Sequence, residues 1–138
     1  MKLPRGSRSL AQVFASASLP DMSALQGEYL VDMLTVWPSL KRFSHRKVMY
    51  RENEVVKGHN VLFRRVWGHF FLEEGVCREL DSGRAVVINY NRPENSFPVR
   101  RIRDYIRWVG DNLYIGRFYY MLPGRMQFLG YFSLERIQ

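Results

Sequence analysis

The sequence predicts a mainly β fold, an antiparallel sandwich or barrel with one short helix and an N-terminal arm. Three observations carry that reading. Glycines and prolines recur at short intervals from Gly27 to Gly130. Between them lie runs rich in Val, Ile, Tyr, Phe and Trp, residues that fit a pleated, half-buried surface. The 138 residues, 46% hydrophobic and 14% aromatic, suit one domain that buries roughly two-thirds of its unfolded surface. That aromatic content excludes wholesale disorder. No apolar run approaches the ~18 residues of a transmembrane helix.

Residues 1–20 are small, polar and basic, with Phe14 the single aromatic. They read as a flexible or short helical arm. The stretch from Leu10 to Leu19 faintly imitates a secretory signal, but Gln12, Ser16 and Ser18 interrupt it. Residues 21–138 form the expected domain. Its strands are predicted near 28–36, 47–53, 60–67, 69–74, 84–91, 113–121 and 126–135. Leu122-Pro123-Gly124-Arg125 reads as a tight hairpin turn, and Asp81-Ser82-Gly83 as another. In the last strand Met126, Phe128, Gly130, Phe132 and Leu134 share the better core face, with Gly130 marking a bend. In the strand at 84–91, Val86, Ile88 and Tyr90 oppose Ala85, Val87 and Asn89.

One segment breaks the β pattern. Val99, Ile102, Ile106 and Val109 are spaced as a helix stripe, Asn95 or Ser96 can cap its start, and Gly110 comes just past its end. A helix over 97–109 is predicted. Its rival is a short helical turn followed by a strand, because Tyr105, Ile106 and Trp108 also suit one.

Twenty-one basic residues against 13 acidic ones give a charge of +8, and the excess is nearly all arginine. Such a balance points to an anionic partner without choosing one. Nucleic acid is possible on this ground but not favoured, since neither an RNP-like nor an OB-fold signature is present. The densest positive charge is Arg100, Arg101, Arg103 and Arg107, which on a helix would make one face for phosphates or anionic lipid; a solvated face is the plainer reading. The single cysteine, Cys77, excludes an intramolecular disulfide and suggests a reducing, cytoplasmic setting.

Familiar catalytic motifs are missing: no G-x-S-x-G, Walker A, G-x-G-x-x-G or H-E-x-x-H. No cofactor is expected. His45, His59 and His69 lack any short metal-ligand spacing, so no metal site is assigned. On a strand, Phe63, Arg65, Trp67 and His69 would share a face unless Gly68 makes a bulge. Trp67 and His69 on an inward face would suit an aromatic or carboxylate-bearing ligand; the alternative is a core Trp67 beside solvated neighbours. Arg117 falls on an apolar face with Leu113, Ile115, Tyr119 and Met121. Pointing inward, it needs Asp32, Glu28 or an acidic ligand as partner. Pointing outward, it leaves Tyr114, Phe118 and Tyr120 as the core. Tyr29, Tyr90, Tyr119, Tyr120 and Tyr131 can line a pocket, or simply pack.

The stretch from Ala85 to Glu135 runs strand, YN-x-P turn, I-R-D-x-I-R-x-V, D-x-L-x-I-G, then a closing hairpin. It resembles the C-terminal half of the small GXWXG/DUF4334-type proteins, whose fold is lipocalin-like. Leu25-Gln26-Gly27-Glu28-Tyr29 stands where that family has L-x-G-x-W, with Tyr29 replacing tryptophan and Val31 the second glycine. The resemblance implies an antiparallel lipocalin-like β-barrel that holds a small apolar or amphipathic molecule. Trp67, His69, Tyr90, Arg117, Tyr119 and Tyr131 are the pocket residues expected on this reading. A cofactor-free isomerase or cyclase using the same cavity is the first alternative, and an anionic-surface binder acting through the segment 100–107 the second.

Overall fold

The computed structural model describes residues 3–35 and 45–137. Eight strands succeed one another along the chain: β1 (Gly27–Met33), β2 (His45–Glu52), β3 (Val55–Leu62), β4 (Arg65–Cys77), β5 (Gly83–Asn89), β6 (Ile102–Gly110), β7 (Leu113–Leu122) and β8 (Arg125–Arg136). Each pairs antiparallel with the next, and β1 pairs with β8, so the sheet closes into the expected barrel. Closure satisfies the edge groups that an open sheet leaves exposed. The alternation of strand direction places the turns after β1, β3, β5 and β7 at one end, the upper end. No helix among the described residues is long and apolar enough to cross a membrane.

Alternate residues face the barrel axis. The lower half is filled by Tyr29, Met49, Val56, Leu72, Val86, Ile106, Tyr114 and Leu134. Leu25 is fully buried there, and Leu19 and Met22 pack against the same cluster. Higher up, the rings of Phe70 and Phe132 lie so close over Gly58 and Gly116 that a Cβ at either glycine would collide with them. The two glycines let these rings lie across the interior and form a floor. Above that floor the barrel is hollow.

Helix α1 (Ser7–Ser16) lies outside, against β6, β7 and β8. Leu10 and Phe14, one turn apart, are buried against Cys77, Ile115 and Tyr131. Ser18 then exchanges backbone hydrogen bonds with Trp108, at 2.9 and 2.8 Å. Of the two states expected for the arm, the described part is helical, and its apolar residues are the stripe that meets the barrel.

Several expectations need correction. The helix over 97–109 does not form: Val99–Arg101 is a single 3-10 turn and Ile102–Gly110 is β6, as the rival reading had it. Ile102, Asp104 and Ile106 face inward, and the acid in the middle of that series hides the two-residue period. The strand expected at 60–67 is two strands joined at Phe63-Arg64. Both turn residues have positive φ, 51° and 65°, a conformation usually given to Asn or Gly. The β7–β8 turn lies at Pro123-Gly124 as expected. In β8, Phe132 and Leu134 face inward while Phe128 packs outside with Tyr131. Leu129 is the extra residue of a bulge opposite Phe118 and Tyr119, and a bulge reverses the facing of the residues beyond it. Residue 36, the end of the first expected strand, lies outside the described residues.

Candidate functional site

The hollow upper half is a cavity of about 200 Å³. Val31, Met33, Ile102, Phe118, Leu129 and Phe132 give it apolar walls, and His45, Lys47, Trp67, Tyr90, Asp104 and Tyr120 supply the polar groups. Most come from the part of a strand nearest the upper end, and Tyr90 from just past the end of β5, which is why residues so far apart in sequence meet.

The polar groups form one network. Lys47 Nζ donates to Asn60 Oδ1 at 2.7 Å and to the Tyr90 hydroxyl at 2.5 Å, and lies 3.6 Å from Asp104 Oδ2. The Tyr90 hydroxyl donates to Asp104 Oδ2 at 3.3 Å and accepts from Asn60 Nδ2 at 3.1 Å. Asn60 Nδ2 also reaches the Gly68 carbonyl at 3.1 Å. His45 Nε2 lies 3.2 Å from Asn60 Oδ1. Beneath the amine are the floor rings, with centroids 5.4 Å (Phe70) and 5.8 Å (Phe132) from Nζ.

Lys47 and Asp104 are only 3% and 4% exposed. Burial pushes the Lys47 amine below its ordinary value and the Asp104 carboxyl above its own, while each partly offsets the other's shift. Burial and the nearby Asp104 push the Tyr90 phenol up. Burial, then the neighbouring Lys47, holds His45 down to about 4. Burial thus works against charge on both members of the pair, and titratable groups shifted in this way in a cavity are candidates for a functional site.

The indole of Trp67 completes the site. Its Nε1 is buried, and no described residue accepts its hydrogen; its ring lies 5.6 Å from that of His45. Gly68 is the extra residue where β4 shifts register against β3. It lets Trp67 and Phe70 both face inward and turns His69 outward, 6.1 Å from the His59 ring. His69 is therefore not in the cavity.

Nor are Arg117, Tyr119 and Tyr131. They lie on the outer face beneath α1, while Tyr114, Phe118 and Tyr120 face inward. Arg117 was expected to find Glu28, Asp32 or a ligand, or to be surface. Instead it is 4% exposed and bonds Glu79 at 2.7 Å, the Tyr119 hydroxyl at 2.7 Å and the Tyr131 hydroxyl. Tyr119 donates to the same carboxylate at 2.6 Å. The helix makes an interior out of what strand alternation alone marks as surface.

The four arginines do not form one helix face. Arg100 donates to the carbonyls of Asn95 and Pro93, Arg101 to that of Met121, and Arg103 to those of Arg100 and Ile102. Arg107 is buried, bonded to Asp81 at 2.7 and 2.9 Å and to the Phe14 carbonyl at 2.9 Å.

Of the expected pocket residues, Trp67 and Tyr90 border the cavity. Sequence reasoning missed Lys47, Asn60 and Asp104, and weighed His45 only as a metal ligand. The available signal was alternation: His45, Lys47 and Met49 keep one face of β2. Among the described residues, no group of three His, Cys, Asp or Glu side chains is placed to hold a metal ion. In comparisons with known proteins the chain matches no family model, no curated protein and no solved structure, and its closed eight-stranded antiparallel barrel is consistent with a lipocalin-like fold in general.

Proposed function

We propose that this protein binds a small amphipathic molecule in the upper half of its barrel. The apolar body packs against Phe118, Leu129 and Phe132, and the polar group meets Trp67 and Lys47. The Trp67 indole carries the reading. A buried N–H without an acceptor costs about 1–3 kcal/mol, and an acceptor on a ligand in the adjoining cavity removes that cost. Size narrows the choice. A dry cavity of about 150 Å³ accepts benzene, so about 200 Å³ suits a single ring with one polar substituent.

Two measurements test this: native mass spectrometry of freshly purified protein under gentle and harsh desolvation, and calorimetric titration with benzyl alcohol. Saturable binding is expected, weakened roughly fivefold in Trp67→Phe by the loss of one hydrogen bond. Binding that is absent from the wild-type protein, or unchanged in the variant, sinks the reading.

Catalysis in the same cavity, as a cofactor-free isomerase or cyclase, is the second reading. The opposed shifts of Lys47 and Asp104 favour it, and its mark is turnover of the recovered ligand. An anionic-surface role for the 100–107 arginines has less support, because Arg107 is buried and paired; its mark would be affinity that falls steeply with salt. Kinship with the GXWXG/DUF4334-type proteins rests on the Leu25–Tyr29 opening and the Ala85–Glu135 half. A cytoplasmic location rests on the single cysteine.

A further inference from the structure

We propose that Lys47 captures an aldehyde or ketone inside the barrel as an imine, which makes the cavity a site for carbonyl compounds. This rests on the small-ligand reading and narrows it to one functional group. The chain has four lysines, and Lys47 faces the cavity. A neutral amine carries two N–H groups and one lone pair. Asn60 Oδ1 at 2.7 Å and the Tyr90 hydroxyl at 2.5 Å take the two hydrogens. The lone pair is left for the remaining directions, and the cavity is among them. Asp104 Oδ2 lies 3.6 Å from Nζ and 3.3 Å from the Tyr90 hydroxyl, so a proton can pass among the three. Desolvation acts on the pair in one sense, favouring amine and carboxylic acid over ammonium and carboxylate.

The chemistry balances without an outside reagent. Nζ adds to the carbonyl carbon, and the C=O π pair moves to oxygen. A proton from the new N–C ammonium passes through Tyr90 to that oxygen, giving a neutral carbinolamine. The Asp104 carboxylic acid then protonates the hydroxyl, the C–O bond breaks, and water leaves. The nitrogen lone pair closes the C=N bond. Amine, acid and carbonyl have become iminium, carboxylate and water. The net charge is zero before and after, and the new cation is formed beside its counter-ion, which a dry interior requires. Trp67 Nε1 offers a hydrogen bond to a second acceptor on the same ligand.

The test uses the full wild-type chain with benzaldehyde and sodium cyanoborohydride, which reduces an imine to a stable benzylamine. Peptide mapping then locates the benzyl group among Lys2, Lys41, Lys47, Lys57 and the N-terminal amine. Lys47 is expected to label at least about tenfold faster than Lys57, because a carbonyl held in the cavity meets Lys47 at high effective concentration, whereas Lys57 Nζ is ion-paired with Glu52. Excess benzyl alcohol is expected to block Lys47 and leave Lys57 unaffected. Tyr90→Phe, which keeps the ring and removes the relay, is expected to slow labelling at Lys47 alone. Lys47 left unlabelled, or labelled no faster than Lys57, overturns the proposal. Benzyl alcohol binding in the same preparation separates the failures. Alcohol bound without an imine removes this proposal and leaves the small-ligand reading; neither alcohol nor aldehyde bound removes both.

Discussion

Lys47 and Arg117 are set among similar neighbours on opposite faces of the sheet. Each is 3–4% exposed, each bonds at least one tyrosine hydroxyl, and each has a carboxylate nearby. Around Arg117 the protein itself fills every side. Phe14 of α1 and Phe128 of β8 stack on the guanidinium, with centroids 5.9 and 4.0 Å away, and Glu79 remains 44% exposed to water. Hydrogen bonding to Tyr119 helps hold this cation charged. Around Lys47 the carboxylate is buried as deeply as the amine, and one side opens on a hollow. Similar residue types make a closed clamp where the protein supplies every contact, and a polar cavity lining where one side opens on the hollow.

The comparison breaks first at Lys47. Lys47→Met leaves Asn60 Oδ1 and the buried Asp104 carboxyl without the amine, at an expected loss of about 3–5 kcal/mol in urea unfolding. Adding Asp104→Leu should restore most of that loss, since an apolar pair of similar volume is often as stable as a buried polar pair. A double variant no more stable than the single one would show that the two residues are not a unit. Arg117→Met should cost less, about 2–3 kcal/mol, because Glu79 can turn to water while the tyrosine hydroxyls lose a donor. Benzyl alcohol affinity should stay at the wild-type value. A fall in affinity would mean that the two clusters are coupled through the sheet.

The smallest effect is a pH slope. His45 is held at about 4 against an ordinary 6.5. Between those values the unfolded chain binds a proton that the folded chain refuses, so stability falls as the pH drops through that window. Urea midpoints measured across it should fall less steeply in His45→Asn. Equal slopes in the two proteins would assign the fall to other groups.

Much of the barrel was legible because its turns obey local chemistry. Pro123-Gly124 and Asp81-Ser82-Gly83 announce themselves. Phe63-Arg64 does not, since nothing in either side chain asks for positive φ. The interior was harder. Trp67 and Tyr90 were found as aromatics on strand faces. Asp104 escaped because a charge at an inward position looks like the end of a pattern, and Lys47 because its partners Asn60, Tyr90 and Asp104 lie on other strands. Arg117, Tyr119 and Tyr131 were given to the cavity because strand alternation cannot show that a helix from residues 7–16 will cover the outside. Polar residues at core positions defeat periodicity where the periodicity would be most useful.

Strands β4 and β8 stand four places apart in a ring of eight, so they face each other across the barrel. Each carries an extra residue at cavity height, Gly68 in one and Leu129 in the other, and each insertion interrupts the hydrogen-bond ladder there. Two opposite walls of the cavity therefore depart from strict two-residue alternation at the same level, and Gly68 and Leu129 set its outline there. The residues that fill the lower half lie apart from both insertions. Sequence changes that reshape the hollow can thus be made away from the packing that holds the chain folded.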